Sequence, residues 1–187
     1  TSTVLNTYDA CGHGRAPRLA RQCILAGMKY LQDETDFEIT LSPETPAVAS
    51  VILLHGLGAD GHDFVPIVDE LGLPGTLPVR FVFPHAPLRP VTVNNGYVMR
   101  AWYDIIGIDR RSTEDFKGMG ESADAIGGLI HREHARGINS DHILLAGFSQ
   151  GGAMALHLAT RHPDKFAGVI ALSCYLPLAQ ELGKSRN

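Results

Sequence analysis

Residues 142–156 read HILLAGFSQGGAMAL, and this stretch decides the fold. An apolar run ends at Gly147 and a series of small residues begins at Gly151, so the pattern predicts a strand, a sharp turn and a helix. The turn matches G-x-S-x-G, in which glycines two positions either side of Ser149 allow a strained backbone to lift the serine hydroxyl clear. We therefore predict a nucleophile elbow with Ser149 as the nucleophile.

Two other interpretations of this glycine-rich turn are a βα loop that binds a phosphate and plain packing of a helix on a strand. The turn itself, residues 147–152, matches neither the G-x-G-x-x-G nor the G-K-[S/T] phosphate motif. The strand before it and the helix after it are the context that an elbow requires, so the nucleophile is the favoured interpretation.

The rest of the chain alternates apolar strands with segments of helical periodicity. Continuous apolar runs such as Val51–Leu54 indicate strands that are buried on both faces. Strands joined by helical crossovers form parallel sheets, so we predict the α/β class, with a mostly parallel sheet and helices on both faces. The predicted strands are 37–41, 51–54, 79–83, 142–146 and 167–172, the predicted helices are 61–71, 122–137 and 150–161, and Asn95-Gly96 is predicted to turn a hairpin.

Composition excludes several classes of function. A chain of 187 residues suffices for one domain with its own core. Sixteen basic and 20 acidic side chains give a net charge of -4, which argues against nucleic acid and favours a small or neutral substrate. The three cysteines form no C-x-x-C pair and no even framework, so we expect a cytoplasmic protein without disulfides or structural zinc. No run approaches 18 apolar residues, so no membrane span is predicted.

A second motif, His55-Gly56-Leu57-Gly58, follows the strand at 51–54. Loops at this place build half of an oxyanion hole, and the residue after the nucleophile builds the other half. We therefore predict that the backbone N–H groups of Leu57 and Gln150 bind the oxyanion. We assign His55 to shaping the loop and not to acting as the general base, because in this arrangement the catalytic histidine follows the serine in the chain.

Four motifs in this order carry a family resemblance: residues 54–61, residues 83–92, Trp102-Tyr103-Asp104, and residues 147–155. From about Met28 to Pro177 the chain resembles the small bacterial carboxylesterases and acyl-protein thioesterases, the phospholipase/carboxylesterase family of the α/β-hydrolase fold. The resemblance implies a serine hydrolase that forms an acyl-enzyme from a small-molecule ester or thioester, with no metal and no organic cofactor.

The resemblance also implies a substrate-binding role for Trp102 and Tyr103 as walls of the acyl pocket, for which a packed aromatic pair is the alternative. No separate lid domain is evident in the sequence, so we expect an open cleft that takes short to medium acyl chains. His131 and His134 lie three residues apart on a predicted helix, and we interpret them as part of a solvated face because no third convergent ligand is evident.

The two ends of the chain depart from the family pattern. Residues 1–27 lack periodicity, and we expect a poorly ordered extension outside the family, followed by the hydrolase domain at 28–187. The family completes its triad with an aspartate and a histidine on later loops, but residues 174–187 contain neither. Because each strand–crossover–strand unit takes roughly 30 residues, we expect that the last strands and helix, about 50 residues, are missing.

This departure leaves a second function open. A hydrolase fold without its acid and base could serve as a catalytically impaired module that binds an acyl ligand or a partner. The absence of the last strands would also expose a sheet edge, which favours association, for example as a homodimer.

Overall fold

A seven-stranded sheet forms the centre of the molecule in the computed structural model, which describes residues 21–25, 28–107 and 114–179. Its strands are β1 (Arg21–Leu25), β2 (Met28–Glu34), β3 (Glu38–Pro43), β4 (Ala49–Leu54), β5 (Val79–Pro84), β8 (Ile143–Phe148) and β9 (Gly168–Leu172), and β6 (Leu88–Val91) and β7 (Tyr97–Arg100) form a separate hairpin. The order across the sheet is β1-β2-β3-β5-β4-β8-β9.

The pairing of the strands divides this sheet into two halves. Strands β5, β4, β8 and β9 run parallel, whereas β1, β2 and β3 form an antiparallel meander that joins the sheet at β5. The parallel half confirms the predicted α/β class. Strand β1 lies within the segment that the sequence analysis assigned to a poorly ordered extension, and it pairs with β2 along its whole length. Residues 1–20 of that segment lie outside the described residues.

In the described part of the chain, three α-helices flank the sheet: α1 (Ile67–Glu70), α2 (Phe116–Ala135) and α3 (Gln150–Arg161). The bounds of α3 agree with the prediction, but the helix predicted at 61–71 is wrong. A 3-10 turn at Gly61–Phe64, capped by Asp60, is followed by a separate short helix that begins after Pro66. Proline lacks the N–H that a continuous helix needs at this position, so the chain breaks there.

Helix α2 begins earlier than predicted, at Phe116 instead of Ser122. The carboxylate of Asp115 accepts a hydrogen bond from the Gly118 N–H at 2.9 Å, which is the geometry of a helix N-cap. The two glycines in the middle of this helix, Gly127 and Gly128, are not needed to bring the helix close to the sheet. A Cβ at either position would contact nothing within 4 Å.

Apolar side chains pack on both faces of the sheet. Along β4, Ile52 and Leu54 face the core beneath α2 and α3, whereas Leu53 between them faces the core beneath α1. Helices therefore cover both faces, as predicted, and Phe81 and Phe83 of β5 are fully buried in the second core.

A buried ion pair connects α2 to the sheet at the end opposite the elbow. Arg80 Nε lies 3.2 Å from Glu133 Oε1, and the Ser50 hydroxyl donates to Glu133 Oε2 at 2.9 Å. The Glu133 side chain is 2% exposed and that of Arg80 10% exposed. Two buried charges of this kind are compatible with a stable fold only while each has the other as its partner.

We predict that Glu133→Ala destabilises the protein by about 3 to 5 kcal/mol, because it leaves the Arg80 guanidinium buried without its partner. Urea unfolding followed by circular dichroism measures the difference. The control is Lys117→Ala, which removes an exposed partner of Glu121 at 3.8 Å on the same helix and should cost no more than about 0.5 kcal/mol. Equal losses in the two variants would contradict this role for the ion pair.

Candidate active site

Ser149 occupies the turn between β8 and α3 and has a left-handed backbone, with φ 53° and ψ -119°. A non-glycine residue in this region costs about 1 to 3 kcal/mol and persists only where neighbouring structure holds it. Its N–H donates to the Leu172 carbonyl of β9 at 2.8 Å, and its carbonyl accepts from Ala153 at 3.0 Å to begin α3. The strained strand–turn–helix is the geometry predicted for a nucleophile elbow.

The glycines of the motif are required by close backbone packing. A Cβ at Gly151 would lie 2.2 Å from the Leu54 carbonyl oxygen and 2.5 Å from that of His55. A Cβ at Gly147 would lie 2.3 Å from the carbonyl carbon of Gly151. No side chain fits at either position: glycine at 151 lets α3 approach the end of β4, and glycine at 147 lets the end of β8 pack against the first turn of α3.

We predict that Gly151→Ala destabilises the fold by about 3 kcal/mol or more, because its Cβ must displace backbone atoms of β4. The matched control is Gly127→Ala on α2, where the new methyl group meets open space. That variant should be more stable than the wild type by up to about 1 kcal/mol, since alanine favours the helix. Denaturant unfolding of both variants tests this difference, and a Gly151→Ala protein as stable as the wild type would contradict it.

His55 holds the loop that carries Leu57. Its Nδ1 lies 2.7 Å from the Gly56 carbonyl and its Nε2 accepts from the Ala86 N–H at 2.9 Å, so the ring is neutral with its proton on Nδ1. Burial is the main cause that lowers the pKa of His55 and keeps this state. Because the Gly56 carbonyl and the Leu57 N–H belong to one planar peptide, the bond from His55 also orients the predicted oxyanion donor. This geometry agrees with a loop-shaping role.

Trp102 and Tyr103 are buried behind the elbow, at 2% and 4% exposure. The Trp102 indole donates to the His55 carbonyl at 2.9 Å. The side chain of Gln150 accepts from the Trp102 N–H at 2.8 Å and donates to the Tyr103 carbonyl at 2.7 Å. This segment therefore connects the loop of Leu57 to the first residue of α3, a structural role that the sequence analysis missed.

A cavity of about 300 Å³ lies beside Ser149. Trp102 and Tyr103 are not among the residues that line it, so the structure does not place them as the walls that the resemblance implied. Two phenylalanines that the sequence analysis did not select take this position, and the lining residues are Gly56, Leu57, Ala59, Asp63, Phe64, Phe148 and Ser149. Phe148 occupies the variable position just before the serine in the G-x-S-x-G motif. That position next to the nucleophile was the feature of the sequence from which its place in the cavity wall could have been predicted.

Within the described residues, no histidine or aspartate hydrogen-bonds the Ser149 hydroxyl. His157 lies eight residues along α3, roughly 12 Å away by helical rise. Burial, followed by the nearby Arg161, lowers the pKa of His157 to about 4, and its Nδ1 atom has no partner in this part of the chain. His131 is exposed and His134 bonds Ser140 at 2.9 Å, so neither contacts the elbow.

The parallel sheet, the elbow and the loop after β4 define the class of protein as an α/β-hydrolase fold. A profile of the phospholipase/carboxylesterase family matches residues 35–187, and the chain belongs to that family.

Individual relatives agree with this assignment. Acyl-protein thioesterase 1 of Cryptococcus neoformans is 38% identical over 148 residues, covering 77% of this chain and 61% of the relative. The Schizosaccharomyces pombe acyl-protein thioesterase 1 is 39% identical over 143 residues, covering 76% and 63%. This chain therefore spans less than two thirds of the length of either relative. Both are fungal, so they support the family and not the bacterial group named in the resemblance.

Solved structures show the same likeness. The crystal structure of Zea mays acyl-protein thioesterase 2 has a TM-score of 0.68 and 29% identity, covering 79% of this chain and 65% of that one. Arabidopsis thaliana SOBER1 has a TM-score of 0.67 and 32% identity, covering 72% and 65%.

Proposed function

We propose that this protein is a serine hydrolase of carboxylic esters or thioesters. The observation that carries the proposal is the strained turn at Ser149, positioned next to the loop of Leu57 and beside an apolar cavity. A serine hydroxyl is a weak nucleophile, and strain that exposes it is maintained where it serves a reaction. Family relatives named as acyl-protein thioesterases support the same chemistry.

In the proposed reaction Ser149 Oγ attacks the carbonyl carbon and gives up its proton to a general base. The resulting oxyanion accepts hydrogen bonds from the Leu57 and Gln150 N–H groups, and loss of one such donor costs on the order of 3 kcal/mol. Collapse of the intermediate expels the alcohol or thiol with that proton and leaves an acyl-enzyme, which water hydrolyses. The family resemblance assigns the base to a histidine oriented by an aspartate, and we propose no residue of the described part for either role.

We propose acyl substrates of short to medium length. A cavity of about 300 Å³ lies at the small end of the range for ligand sites, and Leu57, Phe64 and Phe148 give it apolar walls. The charge of -4 and the absence of a basic field still argue against nucleic acid. No helix among the described residues combines the length and the apolar character needed to cross a membrane. A cytoplasmic location stays a prediction.

The second candidate function is a catalytically impaired module that binds an acyl ligand or a partner. Two observations favour it: no acid or base contacts Ser149 in the described residues, and β9 is the edge strand of the described sheet. Its Ile170 and Leu172 side chains are 45% and 52% exposed. A homodimer that covers this edge belongs to the same hypothesis.

We predict that Ser149→Ala reduces hydrolysis of p-nitrophenyl butyrate by the 187-residue chain to the rate of the buffer, because no other group forms the acyl-enzyme. Hydrolysis of a thioester of the same acyl group, followed by the thiol that it releases, extends the measurement to the second substrate class. The control is Thr160→Ala, an exposed position on the same helix, which should retain the wild-type rate.

Equal rates in the wild type and Ser149→Ala would contradict the hydrolase. A wild-type chain that binds decanoate saturably without turning over any ester would instead support the binding module.

We predict that Phe148→Ala and Phe64→Ala shift the preferred acyl chain of a p-nitrophenyl ester series toward greater length, because each removes an aromatic wall of the cavity. The wild type should prefer short to medium chains. Phe116→Ala, at an exposed site outside the cavity, should keep the wild-type preference. A wild-type optimum at the longest chains would contradict the proposed size of the pocket.

A further inference from the structure

Three side chains that can ligate a metal converge outside the candidate active site. Asp60 and His62 lie in the loop after β4, and His85 follows β5. One ligand atom from each lies within 4.8 Å of the others. The rings of His62 and His85 stack, with centroids 5.5 Å apart and planes inclined by 27°. No role in the proposed hydrolysis requires this group.

We propose that Asp60, His62 and His85 bind one divalent ion of the zinc class. Two imidazoles with one carboxylate suit Zn²⁺, Co²⁺ or Ni²⁺, whereas Mg²⁺ and Ca²⁺ prefer oxygen ligands throughout. Neighbouring ligands of a tetrahedral ion with bonds of about 2.0 to 2.1 Å lie about 3.3 Å apart. His62 Nδ1 is 2.9 Å from Asp60 Oδ1, so this pair already lies close to the required separation.

The hydrogen bonds indicate which nitrogen of each ring faces the ion. His85 Nδ1 accepts from the Gly61 N–H at 3.1 Å, so its lone pair points toward the loop that holds the other two ligands and is engaged by that amide until an ion displaces it. His62 Nε2 lies 3.4 Å from Glu34 Oε1, so a proton on that nitrogen can point to a carboxylate. A ligating histidine that donates its other N–H to a carboxylate is the usual arrangement around zinc. Coordination through Nδ1 of both rings would therefore replace two hydrogen bonds, the one that Gly61 donates to His85 and the one between His62 and Asp60.

The local charge favours a cation. Glu34, Asp60 and Asp63 bring three carboxylates to the cluster, and Asp63 Oδ2 accepts from the Asp60 N–H at 2.8 Å. Arg100 is the opposing charge, and it donates to the Ala86 carbonyl at 2.8 Å. Coordination would join the loop after β4 to the end of β5. The site thus lies on the strand ends that support the loop of Leu57, and none of its three ligands is among the residues that line the cavity beside Ser149, although the neighbouring Asp63 is.

Zinc titration of the untagged, chelator-treated 187-residue protein against a chromophoric chelator tests the proposal, with Co²⁺ absorption as a second readout. We expect one ion per chain in the wild type. His85→Gln and Asp60→Asn should each weaken binding by roughly 100-fold or more, beyond the 10- to 100-fold that loss of an outer-shell partner costs. Both variants retain an oxygen acceptor for the backbone N–H groups that the native side chains bind, so the loop remains satisfied.

The matched control is His142→Gln. His142 is an exposed histidine paired with Asp141 at 2.9 Å. Among the described residues, no third side chain that could ligate a metal lies close to this pair. Its loss should leave zinc affinity unchanged. The proposal is overturned if the wild type shows no saturable binding of one ion, or if folded His85→Gln, checked by circular dichroism, binds as tightly as the wild type. With either result, the three side chains would only form hydrogen bonds that hold the two loops together.

Discussion

The candidate site depends on the contact between the backbone of Gly151 and the carbonyl groups of Leu54 and His55. This contact brings the first turn of α3 against the end of β4, closer than any side chain would allow. It places the N–H groups at the start of the helix next to the loop of Leu57, where both the free amides and the helix dipole favour a developing negative charge. The left-handed Ser149 is a consequence of this geometry, because the chain must reverse within one residue between β8 and α3.

A set of buried hydrogen bonds maintains that contact from behind. His55, Trp102 and Gln150 form bonds that join three segments far apart in the chain. Each of these polar groups is buried, so removing one leaves its partner unsatisfied at a cost of about 1 to 3 kcal/mol. An incomplete network would leave buried polar groups without partners, so the complete network specifies one arrangement of the loop of Leu57 relative to the elbow.

Local pattern was sufficient for the elements that are long, periodic or constrained by glycine. Helix α3 and the strands of the parallel half were predictable because apolar periodicity directly reflects burial. The helix predicted at 61–71 was wrong because Asp60 and Pro66 impose local boundaries that outweigh the apolar spacing of the segment. The start of α2 was missed for a similar reason: the capping carboxylate of Asp115 acts through one hydrogen bond, which leaves little trace in hydrophobicity.

The sequence by itself determined the fold class, and its assignments of Ser149 as the nucleophile and of Leu57 and Gln150 as the oxyanion donors stay predictions; each depends on residue types at short, fixed spacing. Tertiary structure alone decided which aromatic residues border the cavity. Trp102 and Tyr103 belong to a family motif, but they are buried because the Trp102 indole donates to His55 in the loop after β4 and the Tyr103 carbonyl accepts from Gln150 at the elbow. Phe64 and Phe148 line the cavity instead. The cluster of Asp60, His62 and His85 likewise appears only after folding, because two parallel strand ends bring residues 25 positions apart within reach of one ion.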